Sequence, residues 1–166
     1  MLALVVAIAS AQAPQWTVTV DPLTTYLGFV HLQTELALSD RVSFYASPSL
    51  KLFDAPGTEQ EPYRGLGVEV GLRYFWGRQN GNPACVAPCG PWVMVRGVFA
   101  DVRTTDGTEE SDFGRYTSAL VGHSWIFDSQ WTVQLGAGVQ HMDYTVADYG
   151  ISGWLPALHT NVGIAF

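Results

Sequence analysis

Charge is scarce in this sequence: charged residues make up 14% of the 166, and Lys and Arg never gather into a run. With a formal net charge of −7 the chain would repel a phosphate backbone, which excludes nucleic acid as a partner. Long hydrophobic runs are missing too. The longest, Leu2–Ile8, falls well short of the roughly 20 apolar residues that a membrane-spanning helix needs. No heptad and no sustained 3.6-residue period occurs, which excludes a helical bundle. Cysteine is limited to Cys85 and Cys89, too few for a disulfide-rich scaffold. Glycine and aromatics, by contrast, are plentiful, with 17 Gly and 13% Phe, Trp and Tyr, a mix that suits a sheet with one face in lipid. At this length a single domain is expected.

What fills the chain is alternation with a period of two. "GFVHLQTELAL" sets Val30, Leu32, Thr34, Leu36 and Leu38 against His31, Gln33, Glu35 and Ala37. "VSFYASPSLKLF" and "GLGVEVGLRYFW" repeat the pattern, with Phe44, Leu50, Val68 and Leu72 on one face and Tyr45, Lys51, Glu69 and Arg73 on the other. Such segments read as half-buried strands. In "PWVMVRGVFADVR" both faces carry apolar residues, and Arg96 is the guide to the inner one. "RYTSALVGHSWIF", "WTVQLGAGVQHMDY" and the segment from Trp154 to Phe166 complete seven strands, and "QWTVTVD" before Pro22 supplies an eighth. Pro48 cannot donate to a ladder, so a bulge is expected there. The short turns "SDR", "DSQ" and the Cys-bearing turn fall at one end, and acidic loops from Asp54, Thr104 and Thr145 at the other. An all-β fold follows: a closed, eight-stranded, antiparallel up-and-down transmembrane β-barrel with short periplasmic turns and longer extracellular loops.

Closure is the form in which strands can span a bilayer, because hydrocarbon pairs no backbone group left at an edge. Aromatics gather as two girdles, with Trp76, Trp92, Trp125, Trp131 and Phe166 toward the short turns and Tyr26, Phe53, Tyr63, Tyr116, Tyr144 and Trp154 toward the loops. The start, "MLALVVAIASAQAPQW", has the form of a secretory signal's apolar region and cleavage site. Cleavage after Ala11 is preferred, since a cut after Ala13 places Pro14 beside the scissile bond. Residues 1–11 are therefore expected to be a signal peptide and 12–166 the barrel domain, reaching the bacterial outer membrane after Sec-type export. No Lys or Arg precedes the apolar run, which leaves open a start upstream of Met1, and a buried N-terminal strand is the other reading. Export makes a disulfide the expected state of Cys85 and Cys89, with free thiols as the alternative.

The closing segment places Leu158, Val162, Ile164 and Phe166 at alternate positions. This resembles the C-terminal signal by which the barrel-assembly machinery recognises outer-membrane clients. The stretches "VDPL", "GFVHLQTELALSDRVSF", "GLGVEVGLRYFW", "LVGHSWIF" and "LPALHTNVGIAF" resemble a family of small bacterial outer-membrane barrels catalogued as a domain of unknown function. That family is similar in architecture to the transmembrane domain of outer membrane protein A. The resemblance implies the barrel fold, with outer-membrane lipid and lipopolysaccharide around it, and brings no activity with it. A monomer is expected.

By parity, Glu35, Glu69, Arg73, Arg96, His123, Gln134, His159 and Asn161 face the lumen. An eight-stranded barrel is filled by its own side chains, so these are expected to form a plug of salt bridges and hydrogen bonds in place of a pore. No catalytic group is expected: His123 and Ser124 are neighbours on a strand and point to opposite faces, as do His159 and Thr160. No metal and no cofactor is expected, because His31, His123, His141 and His159 lack ligand spacing. The expected role is non-enzymatic, in envelope integrity or surface interaction. A lipid-modifying enzyme, a narrow ion channel and a soluble calycin-like ligand carrier are the alternatives. Asp54, Glu59, Glu61, Asp106, Glu109, Glu110, Asp112 and Asp148 make the loop end acidic, which suits cation bridges to lipopolysaccharide phosphates, although charged loops are usually just solvated.

Overall fold

Alternating side chains along consecutive segments can only be sorted by face if the segments pair, and here they close on themselves. The computed structural model describes residues 14–51, 63–76, 85–104, 110–127, 130–146 and 149–166. Its strands are β1 (Trp16–Val20), β2 (Phe29–Ser39), β3 (Val42–Lys51), β4 (Tyr63–Phe75), β5 (Gly90–Thr104), β6 (Ser111–Ile126), β7 (Trp131–Val146) and β8 (Tyr149–Ala165). Each pairs antiparallel with its chain neighbour, and β1 pairs with β8 to close an all-β, eight-stranded barrel. Residues 1–11, read as a signal peptide, lie outside the described residues.

Parity along the strands divides polar from apolar. Leu32, Phe44, Leu72, Val95, Val121, Leu135 and Leu158 point outward and are exposed, while Gln33, Glu35, Ser43, Ser47, Glu69, Arg73, Gln134 and Asn161 are buried inside. A few apolar side chains share the interior, chiefly Tyr45, Phe75, Trp92, Met94 and Leu120.

Two glycines make room for the largest of these. A Cβ at Gly122 or Gly136 would overlap the Trp92 indole, so the absence of side chains on β6 and β7 forms the slot into which Trp92 fits. Gly122→Ala should cost about 1–3 kcal/mol through overpacking, read as a lower denaturant midpoint. An unchanged midpoint would mean that both Trp92 and the Leu135 carbonyl, which the same Cβ would overlap, can give way.

Several expectations need correction. Pro48 makes no bulge: β3 keeps one register with β2, from His31↔Ser49 to Thr34↔Ala46, and merely skips the pairs at the proline, while Pro48 stays opposite Val68 on β4. The register shift sits at Ala37/Ser39 instead, beside the turn. The segment from Thr145, read as an acidic loop, continues the ladder through Thr145↔Gly150 and Val146↔Tyr149, as its β-branched and aromatic residues favour. A short helix, α1 (Pro22–Tyr26), follows β1. Asp21 caps it, accepting from the N–H groups of Leu23 at 2.9 Å and Thr24 at 3.1 Å, with Pro22 in the first turn.

The two girdles also need revision. Trp76, Trp125, Trp131 and Phe166 are exposed at the turn end, joined there by Trp16 and Phe127. Trp92 shares the parity of Arg96 and lies in the lumen, donating from Nε1 to Ser124 Oγ at 2.9 Å. Tyr116 also faces inward. At the loop end Tyr26 and Trp154 are exposed. Phe53 lies outside the described residues, as do the side chains of Tyr63 and Tyr144.

Cys85 and Cys89 are joined by a disulfide that closes the turn before β5. The turn is tied to the β2–β3 connection by a bond from the Ala87 N–H to Asp40 O at 3.1 Å.

Candidate functional site in the barrel lumen

β2, β4, β7 and β8 each send one long polar side chain into the turn half of the lumen, and these meet. Arg73 Nη1 donates to Glu35 Oε2 at 2.7 Å and to Gln134 Oε1 at 2.8 Å, and Nη2 donates to His159 Nε2 at 2.7 Å. Both side chains of the Arg73–Glu35 pair are 0% exposed. Taking two such charges out of water costs several kcal/mol each, and only close geometry with further hydrogen bonds offsets it. Glu35 has those bonds: it also accepts from Gln134 Nε2 at 2.9 Å, from Thr17 Oγ1 at 3.3 Å and from Ser43 Oγ. The guanidinium lies between two rings, 4.8 Å from Trp92 and 5.2 Å from Tyr45, which holds its plane with cation–π attraction.

Tyr45 links this cluster to a second one, centred on Glu69. Glu69 accepts from the Tyr45 hydroxyl at 2.7 Å and from the Tyr116 hydroxyl at 2.9 Å, with Arg96 Nη1 at 3.4 Å and His31 Nδ1 at 4.0 Å. Between the clusters, Asn161 Nδ2 donates to Thr19 Oγ1 at 2.9 Å and to Gln33 Oε1 at 3.1 Å. The result is a connected polar plug across the turn half of the barrel.

Seven of the residues read as lumen-facing, Glu35, Glu69, Arg73, Arg96, Gln134, His159 and Asn161, lie in this plug. His123 does not. It points outward from β6 and packs on Trp125 with ring centroids 4.5 Å apart. The β6 segment is mixed on both faces, with Arg115 and Thr117 sharing the parity of Ala119, Val121 and His123, so a polar histidine there did not mark the inner side. Ser124 is the inward neighbour.

The plug has further members. Trp92 and Met94 stand on the parity of Arg96, and Ser43 and Tyr45 on the polar face of β3, so all four carried a usable signal. Tyr116 carried none until the pairing Tyr116↔Val98 placed it.

His31 and His159 face the lumen, whereas His141 meets Trp154 edge-on outside, 5.1 Å between centroids. Among the described residues, no three His, Cys, Asp or Glu side chains form a group that could hold a metal ion. Of the acidic loop residues only Glu110 and Asp112 are described, and both are exposed. Leu158, Ile164 and Phe166 are exposed on the outer wall and Val162 is half-buried.

The chain matches no protein-family model, no curated protein and no solved structure.

Proposed function

We propose that the protein is a non-enzymatic outer-membrane β-barrel, with a structural role in envelope integrity or an interactive one at the surface, its lumen plugged by the salt-bridge network. The observation that carries this reading is inverted polarity. Leucine, valine and phenylalanine cover the outer wall, and carboxylates, guanidiniums and amides fill the interior. In water, such a wall would be an apolar surface far larger than the few hundred Å² a soluble monomer shows. In a bilayer the same arrangement is what a spanning barrel requires. Trp16, Trp76, Trp125, Phe127 and Trp131 at the turn end suit the level of the lipid headgroups.

The absence of enzymatic chemistry is supported by His123 and Ser124, which lie on opposite sides of the wall and cannot act as a pair. Tyr45, Arg73 and Trp92, all buried, stand across any path for ions through the turn half. The alternating outward residues Leu158, Val162, Ile164 and Phe166 are the proposed contact for the barrel-assembly machinery, and outer-membrane lipid and lipopolysaccharide are the proposed surroundings.

The test is heat-modifiable migration. Expressed in a Gram-negative host and extracted in mild detergent, the protein should sit in the outer-membrane fraction and run faster unboiled than boiled. A soluble periplasmic protein with no shift would overturn the reading and favour a secreted ligand carrier.

A further inference from the structure

One stretch of the barrel wall is not built from paired strands. β1 pairs with β8 only from Thr17↔Ala165 to Val20↔Val162, whereas β8 runs back to Tyr149. Trp16 and Phe166 exchange both backbone hydrogen bonds at 2.9 Å, so the even-numbered residues of β8 turn their N–H and C=O groups toward β1. Beyond Val162, those of Thr160, Leu158 and Pro156 face a gap in which, among the described residues, no strand lies. The sequence accommodates this edge. Pro156 has no N–H to leave unpaired, and the Leu158 carbonyl accepts from Arg96 Nη2 at 3.5 Å. Asp21, the cap of α1, accepts from Thr160 Oγ1 at 2.6 Å, which anchors the helix against β8.

Behind the gap, the loop half of the lumen holds a cavity of about 290 Å³. Leu27, Phe29, Val98 and Met142 supply apolar wall, and Arg96, His31 and Tyr116 a polar floor. Pro156 and Leu158 border it too, although their side chains are exposed outward, so the cavity extends to the edge of β8.

Arg96 gives this cavity its chemistry. Its side chain is only 7% exposed. Its hydrogen bonds are long: 3.3 Å to Ser118 Oγ, 3.4 Å to Glu69 Oε1 and 3.5 Å to the Leu158 carbonyl. Arg73 makes its oxygen contacts at 2.7 and 2.8 Å, the range usual for charge-assisted bonds. Arg96 is thus held loosely at the floor of an apolar chamber, with a fork of donors that matches a carboxylate.

We propose that this chamber binds a free single-chain fatty acid, its carboxylate on Arg96 and its tail along Phe29, Val98 and Met142, admitted sideways from the bilayer between α1 and β8. At the roughly 30 Å³ that a water molecule occupies, the volume holds about ten non-hydrogen atoms, which fits a chain of medium length. A longer tail leaves between Leu27 and Leu158, which are 46% and 54% exposed. The inference rests on the membrane placement proposed above.

Calorimetric titration of decanoate into the protein in lipid nanodiscs tests it, at mildly alkaline pH where decanoate is ionised, with empty discs and decanol as controls. One saturable site is expected, with decanoate favoured over decanol by about tenfold through the charge-assisted pair. Val98→Phe, which fills the chamber, should abolish the site while the heat-modifiable shift persists. The double variant Glu69→Gln/Arg96→Gln, which removes both charges and leaves neither orphaned, should bind decanoate and decanol alike. Heats equal to those of empty discs overturn the inference while leaving the barrel in its membrane, and so do equal affinities for the two probes in the unaltered protein. Uptake that survives Val98→Phe overturns it as well. A protein that does not insert into the discs overturns the membrane reading, and this inference with it.

Discussion

Arg73→Met should destabilise the barrel by about 3–5 kcal/mol, because it strands a buried carboxylate. Glu35 would keep Gln134, Thr17 and Ser43 as donors but lose its cationic partner, and its side chain is fully buried. Methionine is unbranched and suits the slot between Trp92 and Tyr45, so the loss reflects charge more than volume. The double variant Glu35→Gln/Arg73→Met should recover most of the loss, since replacing both members of a buried pair is often close to neutral. Denaturant unfolding followed by tryptophan fluorescence and by gel shift measures both variants. Equal losses would show that the network contributes through packing and not through the ion pair.

Leu32→Arg should cost roughly 2–4 kcal/mol in a bilayer, the usual cost of a cation on the lipid face of a spanning barrel near its midplane. Leu32 is mid-strand on β2, points outward and is 47% exposed. Were the outer wall in water, the same change would fall within about 0.5 kcal/mol, as surface substitutions usually do. Gln33→Arg, one residue along, turns into the lumen, where the carboxylates of Asp21 and Glu69 line the same small cavity beside Arg96, and should be better tolerated. Comparing the two variants in bilayers separates a lipid-facing wall from a wet one. Equal effects would remove the argument from inverted polarity.

Side-chain parity was readable wherever one face was clearly polar. His31, Gln33 and Glu35 on β2, and Glu69 and Arg73 on β4, declared the inner side, and hydrophobic period alone sorted them. β5 is ambiguous without Arg96 as its guide, and that same guide places Trp92 inside. Trp92 and Tyr116 read in sequence as girdle residues because an aromatic ring suits a membrane interface and a packed interior equally well. β6 misled through His123, whose outward partner Trp125 was not a signal of facing. α1 spans little more than one turn, too short to show a helical period, although Asp21-Pro22 is a start signal. Least legible was the choice of partners. Glu35 meets Arg73 across strands that are not chain neighbours, and Glu69 meets Arg96 of the neighbouring strand directly while also accepting from the hydroxyls of Tyr45 and Tyr116. Such pairings follow from the register and tilt of the whole barrel, which no single segment encodes.

The order in which the chain can fold follows from the ladder that closes the ring. Every other ladder is a hairpin between successive strands and forms by local closure, while β1 and β8 must bring Thr17 to Ala165. Loop-closure entropy rises with the length enclosed, so this contact is made last and slowly. Until then the molecule is a ribbon with two unpaired edges, open to pairing with another chain. The same ladder, the shortest among the described residues, is the place where thermal opening of the finished ring is expected to begin.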